Sequence, residues 1–470
     1  MAVTAPILTL PQLAQFSGGD LWVRAVPGEA RAREAWLASG VEGVSIDTRT
    51  LRAGDLFVPL AGGNTDGHAF IGEAFTRGAA AALCDRAHAA EWSGRSEGPL
   101  VIVDEVTSGL QRLAARHRER WAGPLLAVTG SSGKTTMKDL VAAVLGAVQP
   151  VLRSAGNLNN HWGVPITLLG LRAEHRAAVV EMGMNHEGEL ALLTAIARPN
   201  AAIVTNAGSA HLEHLGSLEA IAREKASVAY ALAPHEVVFA GADSPRLLDA
   251  LRGVRCRRVT FGFAADADVR PAAVEDLGAA GSRLWVEGFP DFILPLPGRH
   301  LVANALGALA VAREYGVPPA AATAALALAQ MGEGRMEIRL ARGATLIVDC
   351  YNANPESTAA ALVTLEHWPG AERRIAALGD MLELGGEAPR LHAETAAAAG
   401  RGSELWVTGA FADDWARGAR GAGRTVRVFA TRDRLREALH AALADGVVVL
   451  VKASRGARFE QLLTGLETEG

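Results

Sequence analysis

Short apolar runs alternate with amphipathic stretches along most of this chain. LLAVT (125–129), AVVEM (178–182), AAIVT (201–205) and EVVFA (236–240) each lead into a polar or glycine-bearing turn and then a helix-like stretch. This is the strand–helix alternation of parallel α/β domains. The rhythm resumes after MGEGRME (331–337) with TLIVD, RIAAL, ELWV, VRVF and VVVLV. Between these sections, from about Val259 to Pro297, shorter alternating runs predict antiparallel strands, and a helix is expected from near Leu301. The first section, to about Asp104, mixes strand-like and loop-like pieces, among them VSIDTRTLRAGDLFVPL and the polar turn AGGNTDGHAF. A helix is expected from Gln111 to Trp121, ending at the break AGP. No repeat of solenoid period is visible. The pattern divides the chain into 1–104, 105–330 and 331–470, all of the α/β class.

Length agrees, since 470 residues at roughly 150 per domain make about three domains. Hydrophobic residues at 49% and charged residues at 21% exclude a disordered chain. Lys and Arg number 46 against 51 Asp and Glu, a net charge of -5, so no nucleic-acid partner is expected. The basic run RLAARHRER (112–120) is read as a solvated helix face. Three scattered cysteines, Cys84, Cys256 and Cys350, make neither a disulfide framework nor a zinc cluster and fit a reducing compartment. The N-terminal stretch lacks the pattern of a leader peptide. No run approaches the roughly 20 apolar residues of a spanning helix, so a soluble, cytoplasmic chain is expected.

The strand LLAVT runs into Gly130-Ser131-Ser132-Gly133-Lys134-Thr135-Thr136 and then into MKDLVAAVL. A strand, a glycine-rich turn and a helix N-terminus make an anion site, because backbone N–H groups and the helix dipole both favour negative charge there. In this short GxxGKT form Lys134 is positioned to reach the β- and γ-phosphates of a nucleotide, and the Thr135 hydroxyl to hold Mg²⁺.

Two further strand ends carry groups able to complete a cation site. AVVEMG ends in Glu181, and AAIVTNAGSAHLEH passes Asn206 and Gly208 to His211. Carboxylate, imidazole and hydroxyl suit a divalent ion held against phosphate oxygens; a zinc reading of His211 and His214 has neither HExxH nor cysteines behind it. By its residues alone, Lys225 in IAREKASVAYAL reads as a surface helix lysine. Asn157, Asn159 and Asn160 crowd the loop of SAGNLNNHWG and read either as turn formers or as a recognition surface. VDCYNANPES, with Asp349, Tyr351, Asn352 and Asn354, then LGDMLELG and VKASRG follow three later strands, with Pro355 opening a helix. Polar loops at the strand ends of one domain suggest a site.

Together these strings resemble the Mur ligase family of peptidoglycan synthesis. SIDTRTLRAGDLFVPLAGGNTDGHAF, AVTGSSGKTT, SAGNLNNHWGVPITLL, VVEMGMNHEGE, TNAGSAHLEHLGS, LPGRHLVANALGALA, EGRMEI, VDCYNANPES, ALGDMLELG and LVKASRG occur in order from residue 45 to residue 456. GxxGKT alone reaches the wider family, folylpolyglutamate synthases included. DCYNANP, LGDMLELG, EMGMNHEGE and the GNLNN loop point to the member that adds D-Ala-D-Ala.

The resemblance implies a UDP-sugar-binding N-terminal domain, a central P-loop ATPase domain with added antiparallel strands, and a C-terminal Rossmann-like domain. It implies ATP-dependent joining of D-Ala-D-Ala to UDP-MurNAc-tripeptide through an acyl phosphate, with ADP and phosphate released, by a monomer. It assigns Lys134 and Thr135 to ATP and Mg²⁺, and Glu181 and His211 to Mg²⁺, two ions in all. It makes Lys225 a carbamylated lysine, against the surface reading. It gives Asn304, Arg335, Asp349, Tyr351 and Asn352 to the nucleotide side, and Thr48, Arg49, Asn157, Asn159 and Asn160 to the UDP-sugar. Lys134, Lys225 and His211 are the expected catalytic groups. A third-residue-adding ligase of the same family and a non-catalytic nucleotide or UDP-sugar binder are the alternatives.

Overall fold

The structure is a computed structural model that describes residues 7–23, 39–63 and 65–466. Part of the N-terminal stretch read for a leader lies outside them. The described chain folds as two compact units. One is built from residues up to 127 with 149–184 and 189–200, the other from 128–148, 185–188 and 201 onward.

In the first unit a five-stranded sheet has the order β2 (Asp20–Trp22), β7 (Leu100–Val103), β6 (Ala81–Asp85), β5 (Asp55–Phe57), β4 (Gly43–Ser45). Its pairings are parallel except β2 with β7. A small antiparallel pair, β1 (Leu8–Thr9) with β3 (Gly40–Val41), stands beside it in sequence. Phe57, Ile71, Ala82, Cys84, Trp92 and Leu100 pack one core. The helix Val106–Glu119 starts five residues before the expected point. The Glu105 carboxylate accepts from the amides of Thr107 and Ser108 at 2.7 and 2.6 Å and caps it.

The basic run on this helix is not a solvated face throughout. His117 and Arg118 are buried. The Arg118 guanidinium donates to the carbonyls of Ala197, Trp121 and Arg198 and to Asn200 Oδ1, at 2.6–3.2 Å. Five donors on one planar group satisfy a cluster of carbonyls that no short polar side chain would reach. The same unit holds the parallel pair β9 (Val151–Arg153) and β10 (Ala177–Glu181).

In the second unit β11 (Ala201–Val204), β12 (Val237–Gly241) and β13 (Arg257–Phe261) pair in parallel. β11 and β12 are buried at every residue, as parallel strands covered on both faces must be. The antiparallel reading of Val259–Pro297 therefore needs correcting at its start, because Val259–Phe261 extend the parallel ladder. The antiparallel sheet is β14 (Pro271–Asp276), β15 (Ser282–Val286) and β16 (Phe292–Leu294). The expected helix follows as Arg299–Glu314.

The C-terminal section is a six-stranded sheet ordered β17 (Glu337–Ala341), β18 (Ala344–Asp349), β22 (Val447–Lys452), β19 (Arg373–Leu378), β20 (Ser403–Val407), β21 (Val426–Val428). Only the edge pair β17–β18 is antiparallel. Leu346, Val348, Ile375, Trp406, Val449 and Val451 are among its core residues. In register, Asp349 faces Lys452 and Lys452 faces Leu378, so DCYNANP, LGDMLELG and KASRG leave the sheet side by side at its carboxyl edge. The α/β class is as expected.

Candidate active site

The glycine loop is shaped by the segment after β11. β8 (Leu125–Thr129) ends at Gly130, and the helix Lys134–Gly146 begins four residues later. Ser131 N–H donates to the Asn206 carbonyl at 3.1 Å and Ser132 N–H to Asn206 Oδ1 at 3.0 Å. Asn206 Nδ2 returns a bond to the Ser132 hydroxyl at 3.0 Å. The Ser131 hydroxyl bridges the carbonyl and amide of Gly208 at 3.0 and 2.8 Å. Two glycines are obligatory here. Gly133 has φ 77, and a Cβ on it would lie 2.9 Å from Asn304 Nδ2. A Cβ on Gly130 would fall 1.9 Å from Thr205 Oγ1. Lys134 Nζ donates to the Gly130 carbonyl at 2.8 Å, over the loop it belongs to. Asn304 is buried against that loop.

Lys225 corrects the residue-by-residue reading, because it is 1% exposed in the helix Leu218–Tyr230. Burial first, then the Lys134 charge, hold its ammonium well below the ordinary lysine range. A buried amine that sheds its proton is a nucleophile toward CO₂.

His211 stands at φ 64, with its side chain largely buried. Burial lowers its proton affinity, and contact with Glu383 works against that. The net effect favours the neutral imidazole, the form that ligates metal. Its Nδ1 lies 2.8 Å from Glu383 Oε2, off the line of a good hydrogen bond. Thr135 follows the loop lysine at the start of its helix.

On the C-terminal loops the Arg335 guanidinium stacks 3.8 Å from the Tyr351 ring centre, and Arg455 Nη1 donates to the Tyr351 hydroxyl at 3.3 Å. Asp349 is engaged by Lys452, Nζ to Oδ2 2.6 Å, and accepts from Met336 N–H at 3.3 Å. Lys452 also donates to the Asn352 carbonyl at 3.1 Å. His211, Asn352, Asn354, Glu383, Ser454 and Arg455 line one cavity.

In the first unit Glu181 is 1% exposed. Its Oε1 accepts from Asn159 Nδ2 at 2.8 Å, and its Oε2 is buried without a hydrogen-bond partner among the described residues. A buried carboxylate oxygen open to a further partner fits a metal ligand. Asn160 is spent locally, its Oδ1 accepting from Trp162 and Gly163 amides at 3.1 and 2.8 Å. Asn157 is exposed, and its carbonyl accepts from Asn159 N–H at 2.8 Å. Thr48 is buried, while the Arg49 side chain is exposed and ion-paired to Asp47 at 2.6 Å.

Asp66, His68 and His88 also cluster in this unit. The two rings stack 4.0 Å apart at 13°, so their in-plane lone pairs run parallel and do not converge on one ion. His68 Nε2 accepts from Asp85 N–H at 3.2 Å. The cluster fastens the AGGNTDGHAF turn.

Glu383, Glu356 and Lys452 were not singled out in the sequence. Their strings were, but a glutamate or lysine inside a polar loop carries no mark of the partner it will meet.

Three family descriptions match the chain: "Mur ligase family, catalytic domain" over residues 40–120, "Mur ligase middle domain" over 128–312 and "Mur ligase, glutamate ligase domain" over 334–455. A UDP-N-acetylmuramoyl-tripeptide–D-alanyl-D-alanine ligase of Treponema pallidum is 37% identical, with 92% of this chain and 95% of that one covered. The crystal structure of MurF from Acinetobacter baumannii superposes with a TM-score of 0.83 at 28% identity, covering 97% of both chains. A MurF ligase from Thermotoga maritima in complex with ADP superposes at 0.78, with 26% identity and 90% and 96% of the two chains covered. With a glycine loop of the nucleotide-binding kind and relatives matched over nearly their whole length, the chain belongs to the Mur ligase family.

Proposed function

We propose that this protein joins D-Ala-D-Ala to UDP-MurNAc-tripeptide at the expense of ATP, releasing ADP and phosphate. The observation that carries this reading is the match to D-alanyl-D-alanine-adding ligases over nine-tenths of the chain, with the Gly130–Thr136 loop intact within it.

The chemistry has two displacements. A tripeptide carboxylate oxygen attacks the γ-phosphorus of ATP, and the bond to the β-phosphate oxygen breaks, giving an acyl phosphate and ADP. The neutral amine of D-Ala-D-Ala then attacks the acyl carbon, loses a proton, and inorganic phosphate leaves. A carboxylate is a poor electrophile, and phosphorylation supplies its leaving group. The protein's share is to position the reactants and neutralise charge on the transferred phosphoryl group. The loop amides and Lys134 cradle the triphosphate. Asn304, Arg335, Asp349, Tyr351 and Asn352 serve the nucleotide side, Asp349 partly through its hold on Met336 N–H. Thr48, Arg49, Asn157, Asn159 and Asn160 serve the UDP-sugar.

Thr135, Glu181 and His211 are the proposed Mg²⁺ ligands. The unpartnered buried oxygen of Glu181 and the neutral, buried His211 support that reading. Bound Mg²⁺ supplies charge neutralisation at the phosphate oxygens. Lys225 is proposed to add CO₂ through its neutral Nζ, forming an N–C bond and releasing a proton. The resulting carbamate anion is a ligand for a second ion.

The domain division 1–104, 105–330 and 331–470 belongs to the same proposal; the second boundary falls in the gap between the family matches ending at 312 and starting at 334. A cytoplasmic monomer is proposed as well. Among the described residues no helix is long and apolar enough to cross a membrane.

The test is condensation of UDP-MurNAc-tripeptide with D-Ala-D-Ala in the presence of ATP, followed by product mass. Phosphate release stimulated only by a single amino acid would make the protein a third-residue-adding ligase. ATP binding without substrate-dependent turnover would make it a binder.

A further inference from the structure

LGDMLELG stood out in the sequence, yet the chemistry above gives its glutamate no task. Glu383 has φ 63 and His211 φ 64, left-handed backbone that non-glycine residues seldom adopt and that persists only where surroundings enforce it. The two residues meet through Nδ1 and Oε2 at 2.8 Å, and Glu213 N–H reaches the Glu383 carbonyl at 3.4 Å. Just before His211 in the chain, Ser209 gives its N–H and its hydroxyl to Glu356 at 2.8 and 2.9 Å. Gly208 makes room for that grip, since a Cβ there would lie 2.5 Å from the Glu356 carboxyl carbon. The loop that carries His211 is therefore held at two points by carboxylates of the C-terminal section.

We infer that Glu383 is a positioning residue for His211. Set against Nδ1 at 2.8 Å, its carboxylate confines the ring and leaves Nε2 as the ligating nitrogen, so that metal affinity at His211 is set from the C-terminal section. The inference rests on the reading of His211 as a metal ligand. A carboxylate behind a ligating imidazole orients the ring and raises its basicity, and losing it costs about 10- to 100-fold in metal affinity. Glu356 steadies the same loop from its other side.

The experiment is Mn²⁺ binding to the full chain saturated with ADP, read from the paramagnetic resonance of free Mn²⁺. The proteins are wild type, His211→Ala, Glu383→Ala, Glu383→Gln and the double variant Glu383→Ala/His211→Ala. Expected are losses of about tenfold or more for each alanine variant, an intermediate loss for Glu383→Gln, and a double variant no weaker than His211→Ala alone. A glutamate that merely stabilised the fold would give additive losses, and that result overturns the inference. So does wild-type affinity in both Glu383 variants while His211→Ala has lost it. Wild-type affinity in His211→Ala removes the metal reading itself, and the positioning role with it. If Glu383→Ala does not fold, Glu383→Gln/His211→Ala completes the same cycle.

Discussion

Asp349 and Lys452 lie directly opposite one another at the carboxyl ends of neighbouring parallel strands and close a buried ion pair, Nζ to Oδ2 2.6 Å. The Lys452 side chain is 1% exposed and that of Asp349 15%. The pair ties the start of the DCYNANP loop to KASRG, and Lys452 fixes that loop again at the Asn352 carbonyl.

Replacing Lys452 by Met leaves the Asp349 carboxylate enclosed without its counter-charge. Breaking one side of such a pair costs about 3 kcal/mol or more. A fall of that size is expected in the unfolding free energy from urea titration, and Asp349→Asn in the same chain should recover part of it. A Lys452→Met protein as stable as wild type would mean that the loop is held by its backbone bonds alone.

Lys134→Ala is expected to abolish substrate-dependent phosphate release, by about a hundredfold or more, because the transferring phosphoryl group loses its cationic partner. The Lys134–Gly146 helix begins with a hydrogen bond from the Met137 N–H to the Gly133 carbonyl that needs no lysine side chain, so the melting temperature should barely move. Turnover within a few-fold of wild type would remove Lys134 from the phosphate site.

The glycine loop and its flanking strand and helix were legible because three local signals coincide there: a fully apolar run, glycines at positive φ, and a helical period. The strands of the parallel ladders were legible for a similar reason, since both their faces are buried. β17 was not, because an edge strand with half-exposed residues shows no such run. The burial of Arg118 was hidden as well: three of its four partners lie about eighty residues further along the chain, and a charge run says nothing of them. Lys225 reads as a surface residue for the same reason. Glu383 is the hardest case, since its place depends on a left-handed backbone that no glycine at its own position announces.

Lys225→Ala is expected to leave the fold intact and cripple turnover, because an alanine cannot add CO₂. Small carboxylic acids such as acetate or propionate should restore part of the activity by standing in for the carbamate. The wild-type protein, assayed in buffers stripped of CO₂, should lose activity and regain it with bicarbonate. A fully active Lys225→Ala protein would end the carbamate reading.

The last prediction concerns acid stability. Burial pushes the His300 imidazole down to about 4, and its Nδ1 is buried without a hydrogen-bond partner among the described residues. An unfolded histidine titrates near 6.5. Between these values the unfolded chain binds more protons than the folded one, so stability falls as the pH drops through 6.5 toward 4. From pH 6.5 to 5 this group alone should remove about 1.5 kcal/mol. His117 and His392, lowered mainly by burial, act in the same direction. Urea midpoints measured at pH 7, 6 and 5 should therefore decline. In His300→Gln, where nothing titrates at this position, the decline should be visibly shallower. Equal slopes in the two proteins would show that His300 takes up its proton as readily folded as unfolded.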